Sequence, residues 1–247
     1  MTMTMTKGSS SVDSALNNLA GVVILAGGAS RRMGTPKATL TLPTGETLLD
    51  YHVRHSLTLN VPVIIADNER GFDVDSMLMS NDSQSPVIHI ADYDSTNFEA
   101  RQNNEQSKTG GALVAIESAL QALKEMGDSD ILENKQPLSS AWLLVISCDS
   151  LIPATDLWQQ LQPLTTKTAD KKVICLADDE HLYPLLGIYQ LSVEPDLKAY
   201  IDSGERKVMS FIKPVVQPVS FAKHWQHLTN FNTPTDFARA CQALNNL

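Results

Sequence analysis

Cysteine is scarce in this chain. Three occur in 247 residues, Cys148, Cys175 and Cys241, far apart and without metal-ligand spacing. They are expected to be buried reduced thiols, as in a cytoplasmic protein. Positive charge is also limited: 19 Lys and Arg against 28 Asp and Glu give a net charge of -9. That balance argues against the broad basic face of a protein that coats nucleic acid or lies on a membrane surface. No apolar run approaches the roughly 20 residues of a membrane span. Met1–Asn18 has neither the apolar core of a secretory signal nor the arginines of a transit peptide. Residues 1–19 are therefore expected to be a disordered tail, and 20–247 a single domain. The histidines (His52, His55, His89, His181, His224 and His227) form no ligand cluster, and each reads as a surface or satisfied core residue.

What the chain does have is 43% hydrophobic residues arranged as short apolar runs alternating with helical patterns. The runs Val22–Ala26, Val61–Ala66, Val87–Ala91, Trp142–Ser147, Val173–Ala177 and Leu185–Gln190 read as strands. Helices are predicted over Glu46–Leu57 and Ala112–Met126, from Pro153, and over Pro234–Leu247 with Thr233 as its cap. The alternation predicts an α/β fold: one Rossmann-like, open, mostly parallel sheet with helices on both faces. Two polar stretches, Asn97–Thr109 and Gly127–Ser140, read as exposed loops, the first expected to be a mobile lid.

In such a sheet ligands bind beyond the carboxyl ends of the strands. The loop after the first run is glycine-rich and basic: Leu25-Ala26-Gly27-Gly28-Ala29-Ser30-Arg31-Arg32-Met33-Gly34-Thr35-Pro36-Lys37. Gly27 and Gly28 remove side chains that would keep backbone N–H groups from an anion. Arg31, Arg32 and Lys37 bring three cations to the same place in an acidic chain. The spacing is neither a P-loop, which puts Lys directly after its second Gly, nor G-x-G-x-x-G. A nucleoside triphosphate cradle and a tight turn with solvated arginines both remain open. Asp149 ends the run Trp-Leu-Leu-Val-Ile-Ser-Cys-Asp and is suited to Mg²⁺, which takes one or two carboxylates plus phosphate oxygens and water. Its other reading is a cap for the helix near Pro153. Asn68 and Asp92 also follow strands, and either is equally readable as a turn residue. The same holds for Asn230 and Asn232.

The set of motifs resembles a known family. Leu-Ala-Gly-Gly-Ala-Ser-Arg-Arg-Met-Gly-x-x-Lys is similar to the signature of the small nucleotidyltransferases that act on molybdenum cofactor. Ser147-Cys148-Asp149-Ser150-Leu151-Ile152-Pro153, Gly204-Glu205-Arg206-Lys207-Val208-Met209-Ser210-Phe211 and Asn230-Phe231-Asn232-Thr233-Pro234 resemble its guanylyltransferase branch, in the same order. The resemblance implies a nucleotide-diphospho-sugar-transferase-like sheet. It implies GTP contacts at Leu25, Ala26, Gly27, Gly28, Lys37, Asn68, Asp92 and Asp149, with Mg²⁺ on Asp149. Pterin contacts would fall at Asn230, Asn232 and Arg206. The implied catalytic groups are Lys37, Asp149 and Arg31. The chain departs from the family at Pro36, where Asp is frequent, and at Thr109-Gly110-Gly111-Ala112-Leu113-Val114, where Pro-Gly-Pro-Leu-Ala-Gly is usual.

The implied reaction joins GMP to molybdenum-bound molybdopterin with release of pyrophosphate. Its phosphate nucleophile is already anionic, so the absent histidine cluster is no obstacle. Further partners implied are a cofactor-insertion chaperone or a GTP-binding accessory protein. The alternatives are a cytidylyltransferase on the same pterin, a nucleotidyltransferase for another small molecule, and a non-catalytic nucleotide-binding accessory protein.

Overall fold

The computed structural model describes residues 18–28, 30–80, 85–91, 111–129, 138–167 and 170–245. Among them one seven-stranded sheet is formed by β1 (Leu19–Leu25), β2 (Val63–Ala66), β3 (Val87–Ile90), β4 (Trp142–Ser147), β5 (Val173–Ala177), β6 (Leu182–Gln190) and β7 (Val216–Ser220), in the order β3-β2-β1-β4-β6-β5-β7. Every pairing is parallel except those of β6, which runs antiparallel to β4 and β5. The helices are α1 (Leu48–Leu57), α2 (Ser76–Ser80), α3 (Gly111–Ser129), α4 (Ala154–Leu161), α5 (Glu194–Asp202), α6 (Val208–Ile212) and α7 (Pro234–Leu244).

Strand alternation sends Val22 and Ile24 to one face of the sheet and Val23 to the other, and all three are fully buried. On the first face they pack with apolar residues of α1, α4 and α7, including Leu48, Leu157 and Ala240. On the second they meet α3, α5 and α6 through Ile116, Leu197 and Ile212. Covering both faces is what allows the central strands to be nearly all apolar. Helix starts follow local chemistry: the Thr47 Oγ accepts from the Asp50 amide at 3.0 Å. Thr233 and Asp236 form a reciprocal capping box across Pro234, in the first turn of α7. The expected open, mostly parallel sheet with helices on both faces is the one observed.

Several boundaries differ from expectation. β1 begins at Leu19, within the stretch read as a tail; residues 1–17 lie outside the described residues. α3 runs on to Ser129 and Leu138–Ser140 is a 3-10 turn, so the stretch read as loop over Gly127–Ser140 is partly helical. The expected lid, Asn97–Thr109, and Asp92 lie outside the described residues. β7, α5 and α6 have no counterpart in the sequence reading. All three cysteines are free and buried, as expected. No helix among the described residues is long and apolar enough to cross a membrane.

β6 carries a bulge that shapes the site. Its register against β5 passes from Cys175↔Gly187 to Leu176↔Tyr183, leaving Pro184–Leu186 unopposed on that side. Such bulges re-aim side chains beside functional clefts. At its pivot, a Cβ on Gly187 would lie 2.6 Å from the Ile174 carbonyl oxygen and 2.7 Å from the Cys175 Cβ. Neither atom is the far end of a flexible side chain. Gly187→Ala is accordingly expected to lose about 1–3 kcal/mol of stability, the scale of overpacking. Urea unfolding monitored by far-UV circular dichroism reads this directly, and an unchanged midpoint would contradict the packing argument.

Candidate active site

The chain leaves β1 toward β2 and β3, and then returns through α3 to β4 on the other side of β1. The order of connection therefore reverses between β1 and β4, the position where open α/β sheets open a crevice. A cavity of about 480 Å³ lies there, at the carboxyl ends of β1, β2 and β4. That volume is within the usual range for small-molecule sites. The backbone closes its floor: the Cys148 amide donates to the Leu25 carbonyl at 3.2 Å, joining the ends of β4 and β1.

The loop after β1 wraps one wall. Met33 is buried and anchors it in the core, while Arg31 and Arg32 stay exposed at the mouth. Ser30 organises the turn from a left-handed backbone (φ 45°): its carbonyl accepts the amides of Met33 and Gly34, and its Oγ accepts the Lys37 amide at 3.2 Å. Gly27 is needed for close approach, since a Cβ there would stand 3.0 Å from the Cβ of Asn68. Its amide, however, donates to the Ala66 carbonyl at 3.1 Å, as does that of Ala26 at 2.9 Å. The glycine's contribution is thus to let the loop lie against the turn after β2; its N–H is already committed. Asn68 occupies that turn with φ 56° and lines the cavity. Non-glycine residues in this backbone region tend to collect at functional sites.

Lys37 and Asp149, from opposite walls, meet at the centre. The Lys37 Nζ is 3.8 Å from the Asp149 Oδ2, and the Ser147 hydroxyl donates to the Asp149 Oδ1. Lys37 is held from a third direction: its Nζ donates to the Asn232 Oδ1 at 2.9 Å and lies 5.7 Å from the Phe231 ring centroid, within cation–π range. The Asn232 Nδ2 in turn donates to the Asn230 carbonyl at 3.2 Å. The segment before α7 therefore reaches back across the whole chain to hold the lysine. The lysine is nearly buried, with 15% of its side chain exposed, and the carboxylate is more open at 31%.

Asp149 does not cap α4. The N-cap is Pro153, and the Ser150 Oγ accepts the Ile152 amide, which frees the carboxylate for the cavity. Among the described residues it is the one carboxylate lining the cavity, and no group of three or more His, Cys, Asp or Glu is placed to hold a metal alone. One open carboxylate fits Mg²⁺ bound together with phosphate oxygens and water, and does not fit an all-protein cage. Cys148 also lines the cavity, but burial first, then the Asp149 charge, pushes its thiol up to about 12. It stays protonated and is no nucleophile.

Of the residues singled out from sequence, Leu25, Ala26, Gly27, Gly28, Arg31, Lys37, Asn68, Asp149 and Asn232 line this one cavity. Asn230 is exposed beside it in a left-handed turn (φ 55°). Arg206 is not among the lining residues. It sits between α5 and α6, where its Nη1 donates to the carbonyls of Ile201 (2.6 Å) and Glu205 (2.8 Å). Sequence reasoning missed the Lys37–Asn232 contact, the Ser147 partner of Asp149, and Leu185, which enters from the β6 bulge. No local pattern marks any of the three.

Residues 22–219 match the MobA-like NTP transferase domain family. The chain belongs to this family. A MobA-like NTP transferase is a nucleotidyltransferase, and the cavity at the β1–β4 switch point is where this one gathers its cationic loop and its carboxylate. Similar relatives include a probable molybdenum cofactor guanylyltransferase of Synechococcus elongatus, 28% identical over 220 residues, 87% of this chain and 94% of that protein. The molybdenum cofactor guanylyltransferase of Shewanella amazonensis is 27% identical over 224 residues, 90% of this chain and 95% of that one. Among solved structures, the molybdopterin-guanine dinucleotide biosynthesis protein A of Archaeoglobus fulgidus superposes with a TM-score of 0.62 at 18% identity, covering 92% of this chain and 100% of that one. That last likeness is one of fold.

Proposed function

We propose that this nucleotidyltransferase transfers GMP from GTP to the terminal phosphate of molybdenum-bound molybdopterin, in the cytoplasm. The product would be the guanine dinucleotide cofactor and pyrophosphate, with the cofactor passed on to an insertion chaperone. The observation that carries the reading is the meeting of Lys37 and Asp149, 3.8 Å apart, in a cavity at the switch point of the sheet. The guanylyltransferase names of the relatives support the choice of guanine and pterin.

In this mechanism a pterin phosphate oxygen forms a bond to the α-phosphorus of GTP, in line with the bond that breaks to release pyrophosphate. The attacking oxygen is already anionic, so no side chain has to remove a proton. Catalysis then reduces to positioning and charge neutralisation. Lys37 faces the phosphates as a fixed point charge, its stem packed and its Nζ oriented by Asn232. Arg31 covers the mouth and neutralises the departing pyrophosphate. Mg²⁺, when bound at Asp149, would supply Lewis-acid neutralisation of the phosphate charge. Leu25, Ala26, Gly27, Gly28 and Asn68 form the nucleotide wall, and Asp92 is assigned to the same group. Asn232 would stand between the two substrates, with Asn230 and Arg206 toward the pterin.

Calorimetric titration with GTP and with CTP, each with and without Mg²⁺, tests the choice of base. GTP is expected to bind at least about ten times more tightly than CTP, a difference of roughly 1.4 kcal/mol. Tighter CTP binding would instead favour a cytidylyltransferase.

A further inference from the structure

α1 lies behind the site and carries the fully buried histidine His52. Its Nε2 is 2.9 Å from the Ser150 carbonyl oxygen. A carbonyl only accepts, so the Nε2 carries the proton and donates it. The Nδ1 is buried with no hydrogen-bond partner among the described residues. An unpaired buried nitrogen is a cost that an apolar side chain would avoid. Burial pushes the imidazole down to about 4, so the ring is neutral around pH 7. The histidine is therefore placed for one donated hydrogen bond.

That bond falls on a junction. Ser150 follows Asp149 directly and is itself fully buried. The preceding residue of α1, Tyr51, donates from its hydroxyl to the Leu151 carbonyl at 2.8 Å. On the other side, the Leu151 amide donates to the Leu228 carbonyl at 2.7 Å, and Ser150 bridges to Thr229. Three residues beyond Thr229 is Asn232, whose side chain holds the Lys37 ammonium.

We propose that His52 is a positioning residue for nucleotidyl transfer: by fixing the Ser150 carbonyl it sets the direction of the Asp149 carboxylate and its spacing from the Asn232-held Lys37. This rests on the nucleotidyl-transfer reading of the cavity. The histidine touches neither substrate nor Asp149 and acts through the backbone. Partners hydrogen-bonded directly to a metal-binding group typically change metal affinity or activity by about 10–100-fold when removed; His52 acts through the adjacent peptide, so the lower end of that range applies.

The test compares the wild-type protein with His52→Leu, His52→Gln and His52→Asn. The Gln amide nitrogen reaches the place of Nε2, whereas the shorter Asn amide does not. Circular dichroism melting checks folding. Calorimetry with GTP, with and without Mg²⁺, and steady-state pyrophosphate release give the functional readouts. In His52→Leu, GTP affinity without Mg²⁺ should stay within about twofold of wild type. The tightening by Mg²⁺ and kcat should each fall at least ~10-fold, and Gln but not Asn should restore them to within about threefold. Wild-type Mg²⁺ dependence in His52→Leu would overturn the proposal, as would equal behaviour of Gln and Asn. Should His52→Leu fail to fold, the Gln–Asn comparison decides alone. Wild-type protein that shows no Mg²⁺-dependent GTP binding would instead overturn the reading of the cavity, and the positioning role with it.

Discussion

Asp149→Ala is expected to lower kcat by at least ~10²-fold, the scale seen when one group that stabilises the transition state is removed. The melting temperature should move little. Asp149 is partly open, contacts Lys37 at 3.8 Å, accepts from the Ser147 hydroxyl, and carries no helix cap. Lys37 keeps Asn232 and the Phe231 ring when the carboxylate is lost, and Ser147 is able to bond water. The loss should therefore appear in turnover and Mg²⁺ dependence, with folding largely spared. Pyrophosphate release at saturating substrates, followed over a Mg²⁺ titration, reads the effect. Near-normal Mg²⁺-dependent turnover in the variant would remove Asp149 from the reaction.

Lys37→Ala should reduce kcat/KM for GTP by at least ~10²-fold, because it removes a nearly buried cation from the developing phosphate charge. Lys37→Arg is expected to rescue poorly. The Nζ sits in a space defined by the Asn232 Oδ1 at 2.9 Å and the Phe231 ring at 5.7 Å, which fits a compact ammonium and not a planar guanidinium. The alanine variant also leaves the Asn232 Oδ1 without this donor, so a modest loss of stability should accompany the kinetic loss. Stopped-flow or steady-state kinetics over a GTP series separates the two, and an unchanged kcat/KM would exclude Lys37 from the phosphate site.

Much of this site was legible because its parts sit at strand ends. β1 and β4 are buried on both faces, so their apolar runs are unbroken, and the residues just beyond them stand out as loop and carboxylate. β4 and β5 match the sequence reading to the residue for the same reason. β7 was illegible: Val216–Ser220 contains Pro218 and, among the described residues, pairs with β5 alone at the edge of the sheet, where half-exposure dilutes the pattern. α5 and α6 are short helices whose stability comes from packing against the second face. Contacts that cross the chain left no local trace. Asn232 reads as a turn residue until it is seen 195 positions away from its partner Lys37. His52 reads as one of several unclustered histidines until α1 is folded against the Ser150 carbonyl.

A cavity that joins a nucleoside monophosphate to a pterin phosphate leaves a product that carries both. The most direct measurement is mass analysis of the product after incubation with molybdopterin, molybdate, Mg²⁺ and each nucleoside triphosphate in turn. A GMP adduct of the pterin is expected, formed with one pyrophosphate per adduct and lost in Asp149→Ala. Absence of a nucleotide–pterin adduct with every triphosphate would rule out nucleotidyl transfer to the pterin.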